Sequence, residues 1–149
     1  MRAVVQRVLK SSVSIEGKVT ASIGKGLMVL IGVETGDTDK DARYIADKCT
    51  GLRVFDDEEG VPNLSVLNVG GSVLAVSQFT LAGDARHGRR PSYITAERPE
   101  KAKPLFERVK EYMIESGVEV ESGTFMADMQ ISLINDGPFT ILLNSRKEF

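Results

Sequence analysis

The 149-residue sequence predicts a mixed α/β protein that folds as one domain, residues 1–149. Stretches with strand patterning alternate with two amphipathic helical stretches, and no linker, repeat or low-complexity segment separates them. A chain of this length buries one substantial core and is short for two. The predicted order of elements is β-β-β-α-β-α-β-β-β, with a hairpin after the first helix.

Three apolar stretches at the start of the chain predict three strands. "RAVVQRV" and "SSVSIEG" are expected to form a first pair. "KGLMVLIGVE" is flanked by glycines and almost continuously apolar, which is typical of a strand buried on both faces.

The next segment, "DKDARYIADKCTGL", has the spacing of an amphipathic helix. Asp37 or Thr38 would cap its first turn. Cys49 falls on the apolar stripe, and we expect a packed core thiol rather than a reactive one, because buried cysteines behave as small hydrophobes. The following segment, "LRVFDDEEGVPNLSVLNVGG", indicates a hairpin with an acidic, solvated tip.

In the second half, "SVLAVSQFTL" predicts another buried strand, and "GDARHGRRPSYITAERPE" predicts a long basic loop. A second helix is expected from roughly Pro99 to Ser116. Its regular part should begin late, near Pro104, because proline lacks the N–H that a helix interior requires.

The last strands are predicted in "VEVESGTF", "DMQISLI" and "FTILLNS". Between the final two lies "NDGP", a run of turn-forming residues in which a rigid proline follows a flexible glycine.

Composition favours an ordinary globular protein of a reducing compartment. Hydrophobic residues make up 42% and charged residues 27%, and the net charge of -2 gives no global reason to expect nucleic acid. A single cysteine excludes an internal disulfide. No apolar stretch reaches the roughly 20 residues that span a bilayer, and the start of the chain lacks the pattern of a signal peptide. We therefore expect a cytoplasmic protein that has no membrane partner.

Metal or cofactor chemistry finds little support in the residues. One histidine and one cysteine, far apart, make no zinc site, and neither a phosphate loop nor a dinucleotide-binding glycine motif is present. His87 could serve a catalytic triad only with Asp84 as its orienting carboxylate, and we expect it instead to add to a cationic surface. We therefore expect neither a bound metal nor a cofactor.

The polar residues of "SQFTLAGD", residues 77–84, end a strand that is otherwise apolar. They allow two interpretations. In the first, the polar side chains simply face water. In the second, hydroxyl, amide and backbone N–H groups converge on a substrate carbonyl. Such donors stabilise a developing oxyanion without a strong base.

Four motifs follow one another along the chain in an order that is also found in a known protein family: "MRAVVQRV", "SQFTLAGD", "RRPSY" and "NDGPFT". Over its whole length the sequence resembles the bacterial D-aminoacyl-tRNA deacylases, and the pairing of SQFT with N-x-G-P-[VF]-T is the most specific part of the match. The resemblance implies a three-layer α/β/β fold with mixed and antiparallel strands and two main helices. It also implies a cofactor-free homodimer with active sites at the subunit interface, which hydrolyses the ester of tRNA charged with a D-amino acid or glycine and rejects L-aminoacyl-tRNA.

The resemblance places the catalytic set at Ser77, Gln78, Phe79 and Thr80. Ser77 and Gln78 would hold the aminoacyl end, and the Phe79 N–H would donate to the oxyanion. Thr80 corresponds to a candidate nucleophile of the family. Because the sequence offers no base beside it, we expect Thr80 to position the strand, and the ribose 2′-OH to assist hydrolysis.

The resemblance implies a chiral filter at Gly137 and Pro138. In the family this peptide is cis and enters the partner's active site, where its carbonyls occupy the space of an L side chain. Thr140 would support the filter and Arg7 would brace it, although Arg7 could also be only an exposed charge at a strand edge. Met129 completes the expected substrate-binding set.

Arg86, Arg89 and Arg90, together with His87, are expected to contact phosphates of the acceptor stem, and the alternative is a solubilising loop. Met126 stands where the family more often has glycine, in the region that holds the terminal adenosine. Ala82 stands where an aromatic residue is usual.

Two other functional classes remain open. The chain could be a non-catalytic RNA-binding or synthetase-associated module that kept the fold, or a general small esterase with a hidden hydroxyl nucleophile.

Overall fold

The computed structural model describes residues 1–149. A short 3-10 turn, Phe79–Ala82, follows the sixth strand. The remaining elements are β1 (Arg2–Ile15), β2 (Lys18–Ile23), β3 (Gly26–Gly32), α1 (Asp39–Gly51), β4 (Phe55–Asp56), β5 (Pro62–Leu64), β6 (Ser72–Ser77), α2 (Pro99–Glu115), β7 (Glu119–Ser122) and β8 (Gln130–Asn144).

Six strands form one mixed sheet, and β1 lies near its centre. On one side of β1, β3 pairs antiparallel with its first half and β2 with its second half. β8 pairs antiparallel along the other side. Beyond β3, the strands β6 and β7 continue the sheet in parallel. The strands β4 and β5 form the predicted hairpin, which is separate from this six-stranded sheet.

The strands alternate their side chains between two apolar cores, as a strand buried on both faces requires. Leu27, Val29 and Ile31 face a core shared with the two helices. Met28 and Leu74 face a second, smaller core on the opposite side of the sheet.

The second core is closed because the sheet curls over it. β2 contacts β6 and β7, although two or three strands separate them along the hydrogen-bonded order. Ile131 and Leu133 of β8 pack against the same core. Helices, sheet and folded-over strands are thus three layers, and the predicted α/β/β fold with two main helices is confirmed. Neither helix is long and apolar enough to cross a membrane.

Helix α1 begins after Thr38, one of the two predicted caps. The Asp41 carboxylate accepts the Thr38 N–H at 2.8 Å, which completes a capping box. Cys49 is fully buried, and burial raises the pKa of its thiol to about 12. The prediction of a packed core thiol is therefore confirmed.

Two strand boundaries differ from the prediction. The first two predicted strands are one continuous strand, β1, and its hairpin partner is β2, which begins after a tight turn at Glu16 and Gly17. Likewise, the last two predicted strands are one strand, β8, which runs through "NDGP". In the sequence, the polar residues in the middle of β1 and of β8 resemble breaks between strands. In the structure, β1 and β8 pair with each other on both sides of these residues.

Helix α2 begins at Pro99, so the prediction of a late start near Pro104 is wrong. The N–H groups of Lys101 and Ala102 already bond to the Arg98 carbonyl, at 3.0 and 2.8 Å. Pro99 occupies the first turn, where its missing N–H costs nothing. Pro104 removes only one bond near the start of a long, well-packed helix.

Candidate active site

A cavity of about 420 Å³ lies where β3 and β6 end beside the first turns of α2. Ser77, Gln78 and Phe79 form one wall, and nine of the thirteen lining residues are hydrophobic. Pro99 and Phe106 of α2 form another part of the lining. The cavity is thus mostly apolar with polar groups at one edge, as is common for small-ligand sites.

The SQFT residues lie at this edge because the chain leaves β6 and turns directly onto β3. The Gln78 N–H donates to the Ile31 carbonyl at 2.8 Å. Gly32 permits the approach, since a Cβ there would lie 2.9 Å from both the Gln78 carbonyl oxygen and Leu81 Cβ. The predicted strand therefore ends at Ser77, and Phe79–Ala82 forms a 3-10 turn.

Thr80 has no activating base in this turn. Its hydroxyl accepts a hydrogen bond from the Gln78 side-chain amide, and no carboxylate or imidazole bonds to it. An amide does not take up a proton near neutral pH, so the hydroxyl remains a weak nucleophile. Phe79 opens the turn, and its N–H therefore has no partner within the turn.

The "NDGP" segment is a bulge within β8 and not a turn between two strands. The β1–β8 register shifts between Gln6 and Val8, opposite this segment. Asn135 closes the bulge, because its side-chain amide donates to the carbonyls of Arg7 and Phe139, both at 2.9 Å. The Gly137–Pro138 peptide bond is cis, Gly137 has φ of 125°, and both residues are exposed.

Arg7 is buried behind this bulge, so it is not an exposed charge at a strand edge. Its guanidinium donates to the Asp136 carbonyl at 3.1 Å and to the Val54 carbonyl at 2.6 Å. It also lies over the Phe139 ring, 4.9 Å from the centroid. Arg7 thus ties both ends of the bulge to the β4 region.

The two other predicted substrate-binding residues, Thr140 and Met129, lie within β8 and directly before it. Thr140 accepts a hydrogen bond from the Gln6 side chain at 3.2 Å and is exposed beside the bulge. Met129 does not line the cavity. It packs against the second core, and its sulfur lies over Gly123, 2.5 Å from where a Cβ would be.

The three arginines that are expected to contact tRNA phosphates differ in their electrostatics. Arg86 forms a two-pronged pair with Asp84, at 2.7 and 2.9 Å, and these hydrogen bonds hold the pKa of the Asp84 carboxyl well below its usual range. Arg89 and Arg90 are exposed and form no ion pair. In the same loop, Tyr93 stacks edge-on against Phe79, with ring centroids 5.3 Å apart.

Met126 and Ala82, the two residues expected to depart from the family pattern, lie in the cavity lining and at the end of the 3-10 turn, respectively. Met126 lines the cavity, is 74% exposed and has φ of 66°, a conformation that favours glycine. Ala82 is buried, and its carbonyl accepts a hydrogen bond from Thr95 at 3.3 Å.

Sequence reasoning missed the wall formed by α2 and the role of Asn135. Pro99 could have indicated that α2 begins beside the cavity, and the asparagine of "NDGPFT" could have indicated a side chain that closes the bulge. The structure also separates the two predicted motifs, because none of residues 135–140 lines the cavity.

Comparison with known proteins agrees with these motifs. The model of the family described as "D-Tyr-tRNA(Tyr) deacylase" matches residues 4–144. The chain is 53% identical to "D-aminoacyl-tRNA deacylase" of Koribacter versatilis (strain Ellin345), and 54% identical to the protein of the same name in Anaeromyxobacter dehalogenans (strain 2CP-C). Both alignments cover 149 residues and 100% of each chain. A solved structure described as "c-Myc DNA Unwinding Element Binding Protein" superposes with a TM-score of 0.92 at 37% identity, covering 97% of this chain and 98% of that one.

The chain belongs to the D-Tyr-tRNA(Tyr) deacylase family. The predicted family is therefore confirmed, and so is the prediction that the chain is a D-aminoacyl-tRNA deacylase, an enzyme.

Proposed function

We propose that this protein hydrolyses the ester between a D-amino acid and the terminal ribose of tRNA, releasing free amino acid and tRNA. The observation that carries the proposal is the SQFT turn, by which we mean residues 77–82. Its polar groups lie at the edge of a mostly apolar cavity, and the chain belongs to a deacylase family. Because charged tRNA is the substrate, we place the reaction in the cytoplasm.

In this proposal the cavity holds the terminal adenosine. Its apolar lining includes the rings of Phe79, Phe106 and Phe125, and flat aromatic surfaces suit a nucleobase. Met126 lies at the rim, and Met129 supports the 123–127 segment from behind through its contact with Gly123.

The chemical step needs little from the protein beyond position and an oxyanion donor. Ser77 and Gln78 hold the aminoacyl end, so that its carbonyl oxygen faces the Phe79 N–H. A water oxygen attacks the carbonyl carbon, the ester C–O bond breaks, and the ribose oxygen leaves with a proton. The neighbouring ribose 2′-OH assists this transfer, and Thr80 holds the Gln78 amide in place.

Rejection of L residues is assigned to Gly137 and Pro138 of a second copy of the chain. This pair is exposed and is not part of the cavity lining of its own chain. A homodimer would bring it to the partner's SQFT turn, with Arg7 and Thr140 holding the bulge behind it. Backbone carbonyls in that position exclude an L side chain whatever its identity, whereas D residues and glycine pass.

Exposed cations next to the turn would place the tRNA. Arg89 and Arg90 have no ion pair and are assigned to phosphates of the acceptor stem. Arg86 contributes less net attraction because Asp84 neutralises it.

The test compares release of amino acid from D-Tyr-tRNA and L-Tyr-tRNA. We expect the protein to hydrolyse D-Tyr-tRNA catalytically and to leave L-Tyr-tRNA at its spontaneous rate. Glycyl-tRNA should be hydrolysed as well, because glycine has no side chain to exclude. Equal rates on the D and L esters would contradict the proposal.

A general esterase makes the opposite prediction on simple substrates. It would hydrolyse aryl esters and be inactivated by a serine-directed phosphonylating reagent. Because no base hydrogen-bonds to the Thr80 hydroxyl, we expect neither.

A second candidate function is nucleic-acid binding without hydrolysis. It is favoured by the likeness to the protein described as "c-Myc DNA Unwinding Element Binding Protein" and by the free cations Arg89 and Arg90. Multiple turnovers of D-Tyr-tRNA would exclude it, whereas stoichiometric binding of duplex DNA or tRNA without release of amino acid would support it.

A further inference from the structure

A buried carboxylate shortly after β3, that of Glu34, forms an ion pair with an arginine that reaches the 79–82 turn. Glu34 is 2% exposed, and its Oε1 lies 3.1 Å from Arg2 Nε. From the same guanidinium, Nη1 donates to the Leu81 carbonyl at 3.1 Å. Arg2 thus spans the distance between the end of β3 and the 79–82 turn.

The contact reaches the part of the turn that no strand holds. At its start the turn is fixed by the Gln78 N–H on the Ile31 carbonyl, and at its end the Thr95 hydroxyl bonds to the Ala82 carbonyl. Between these points, Arg2 is the only charged side chain that hydrogen-bonds to the turn.

We propose that Arg2 is a positioning residue of the active site, with Glu34 as its anchor. The proposal rests on the function proposed above, in which the Phe79 N–H donates to the oxyanion. Phe79 and Leu81 belong to one tight turn, so a carbonyl held by Arg2 also fixes the direction of the Phe79 N–H. A planar guanidinium can hold a carboxylate and a carbonyl at once, whereas the ammonium of lysine acts as a point charge.

The chain provides a matched control in Arg146. Its Nη2 lies 3.0 Å from Asp37, a second buried carboxylate near Glu34, and donates to the Thr35 carbonyl at 2.7 Å. The two arginine side chains are similarly exposed, 31% for Arg2 and 39% for Arg146. Arg146 makes no hydrogen bond to the 79–82 turn, so it reports the cost of uncovering a buried carboxylate without moving the turn.

The test measures kcat and KM on D-Tyr-tRNA together with thermal unfolding of Arg2→Gln, Arg2→Lys and Arg146→Gln. Misplacing a reacting geometry by about 1 Å costs on the order of 100-fold, so we expect kcat of Arg2→Gln to fall by roughly 10- to 100-fold with KM nearly unchanged. Arg146→Gln should lower the unfolding temperature comparably and leave kcat at the wild-type value. Arg2→Lys keeps a positive charge beside Glu34 and should fold, yet its kcat should remain low.

A wild-type kcat in either Arg2 variant, or an equal loss of kcat in Arg146→Gln, would overturn the positioning role. Wild-type protein that fails to hydrolyse D-Tyr-tRNA would instead overturn the proposed function.

Discussion

Replacing Gly137 with alanine is expected to let the protein hydrolyse L-Tyr-tRNA. A Cβ at this position would lie 3.0 Å from Arg7 Nη2 and 3.3 Å from the Phe139 nitrogen, and Gly137 has φ of 125°. An L residue adopts such a backbone only at a cost of ~1–3 kcal/mol. The bulge must therefore shift, and the carbonyls assigned to exclude an L side chain shift with it.

The measurement is the ratio of D- to L-Tyr-tRNA hydrolysis rates. We expect the ratio to fall by at least tenfold, or ~1.4 kcal/mol of discrimination, mainly because the L rate rises. Gly60→Ala is the control, since Gly60 also has a positive φ, 75°, but lies at the tip of the β4–β5 hairpin with no atom within 4 Å of a Cβ. A folded Gly137→Ala protein that still rejects L-Tyr-tRNA would show that chirality is read elsewhere.

Removing the Gln78 side chain should cost far more activity than removing the Thr80 hydroxyl. Gln78 is proposed to hold the aminoacyl end, and misplacing a reacting geometry by about 1 Å costs on the order of 100-fold, so we expect Gln78→Ala to lose roughly 100-fold in kcat. Removal of a covalent nucleophile costs on the order of 10⁶. Because no base activates Thr80, we expect Thr80→Ala to retain most of its activity.

Two conservative variants separate the roles of these side chains. Gln78→Glu keeps the shape but loses the amide donors, and it should be nearly as impaired as Gln78→Ala. Thr80→Ser keeps the hydroxyl that accepts the Gln78 amide and should match the wild type. A trapped aminoacyl ester on Thr80, or a Thr80→Ala protein without activity, would establish a nucleophilic threonine instead.

Much of the fold is predictable because hydrophobic periodicity is local. The runs that form β3 and β6 are apolar on both faces, and both strands lie between two cores. Thr38 and the spacing of apolar residues predict α1 from its first turn onward. Where pairing with a distant strand decides the structure, local signals mislead. Polar residues interrupt β1 and β8 in sequence, but the two strands pair with each other across the interruptions.

The candidate site is predictable in its motifs and not in its assembly. "SQFT" and "NDGPFT" are visible in the sequence, but no local pattern shows that Arg7 is buried between Asp136 and Val54. Similarly, Phe106 has the spacing of an ordinary core residue, and only the packing of α2 beside β3 and β6 makes it part of the cavity lining.

A heterodimer carrying a different substitution in each chain would test most directly whether one site draws on two copies of the protein. One chain carries Gln78→Ala and the other Gly137→Ala, and two affinity tags allow the mixed dimer to be isolated. If the filter acts on the partner's site, one site carries both defects and the other carries none. The heterodimer should then hydrolyse D-Tyr-tRNA and reject L-Tyr-tRNA. Hydrolysis of L-Tyr-tRNA by the heterodimer would contradict this arrangement, because it would show that each chain uses its own Gly137.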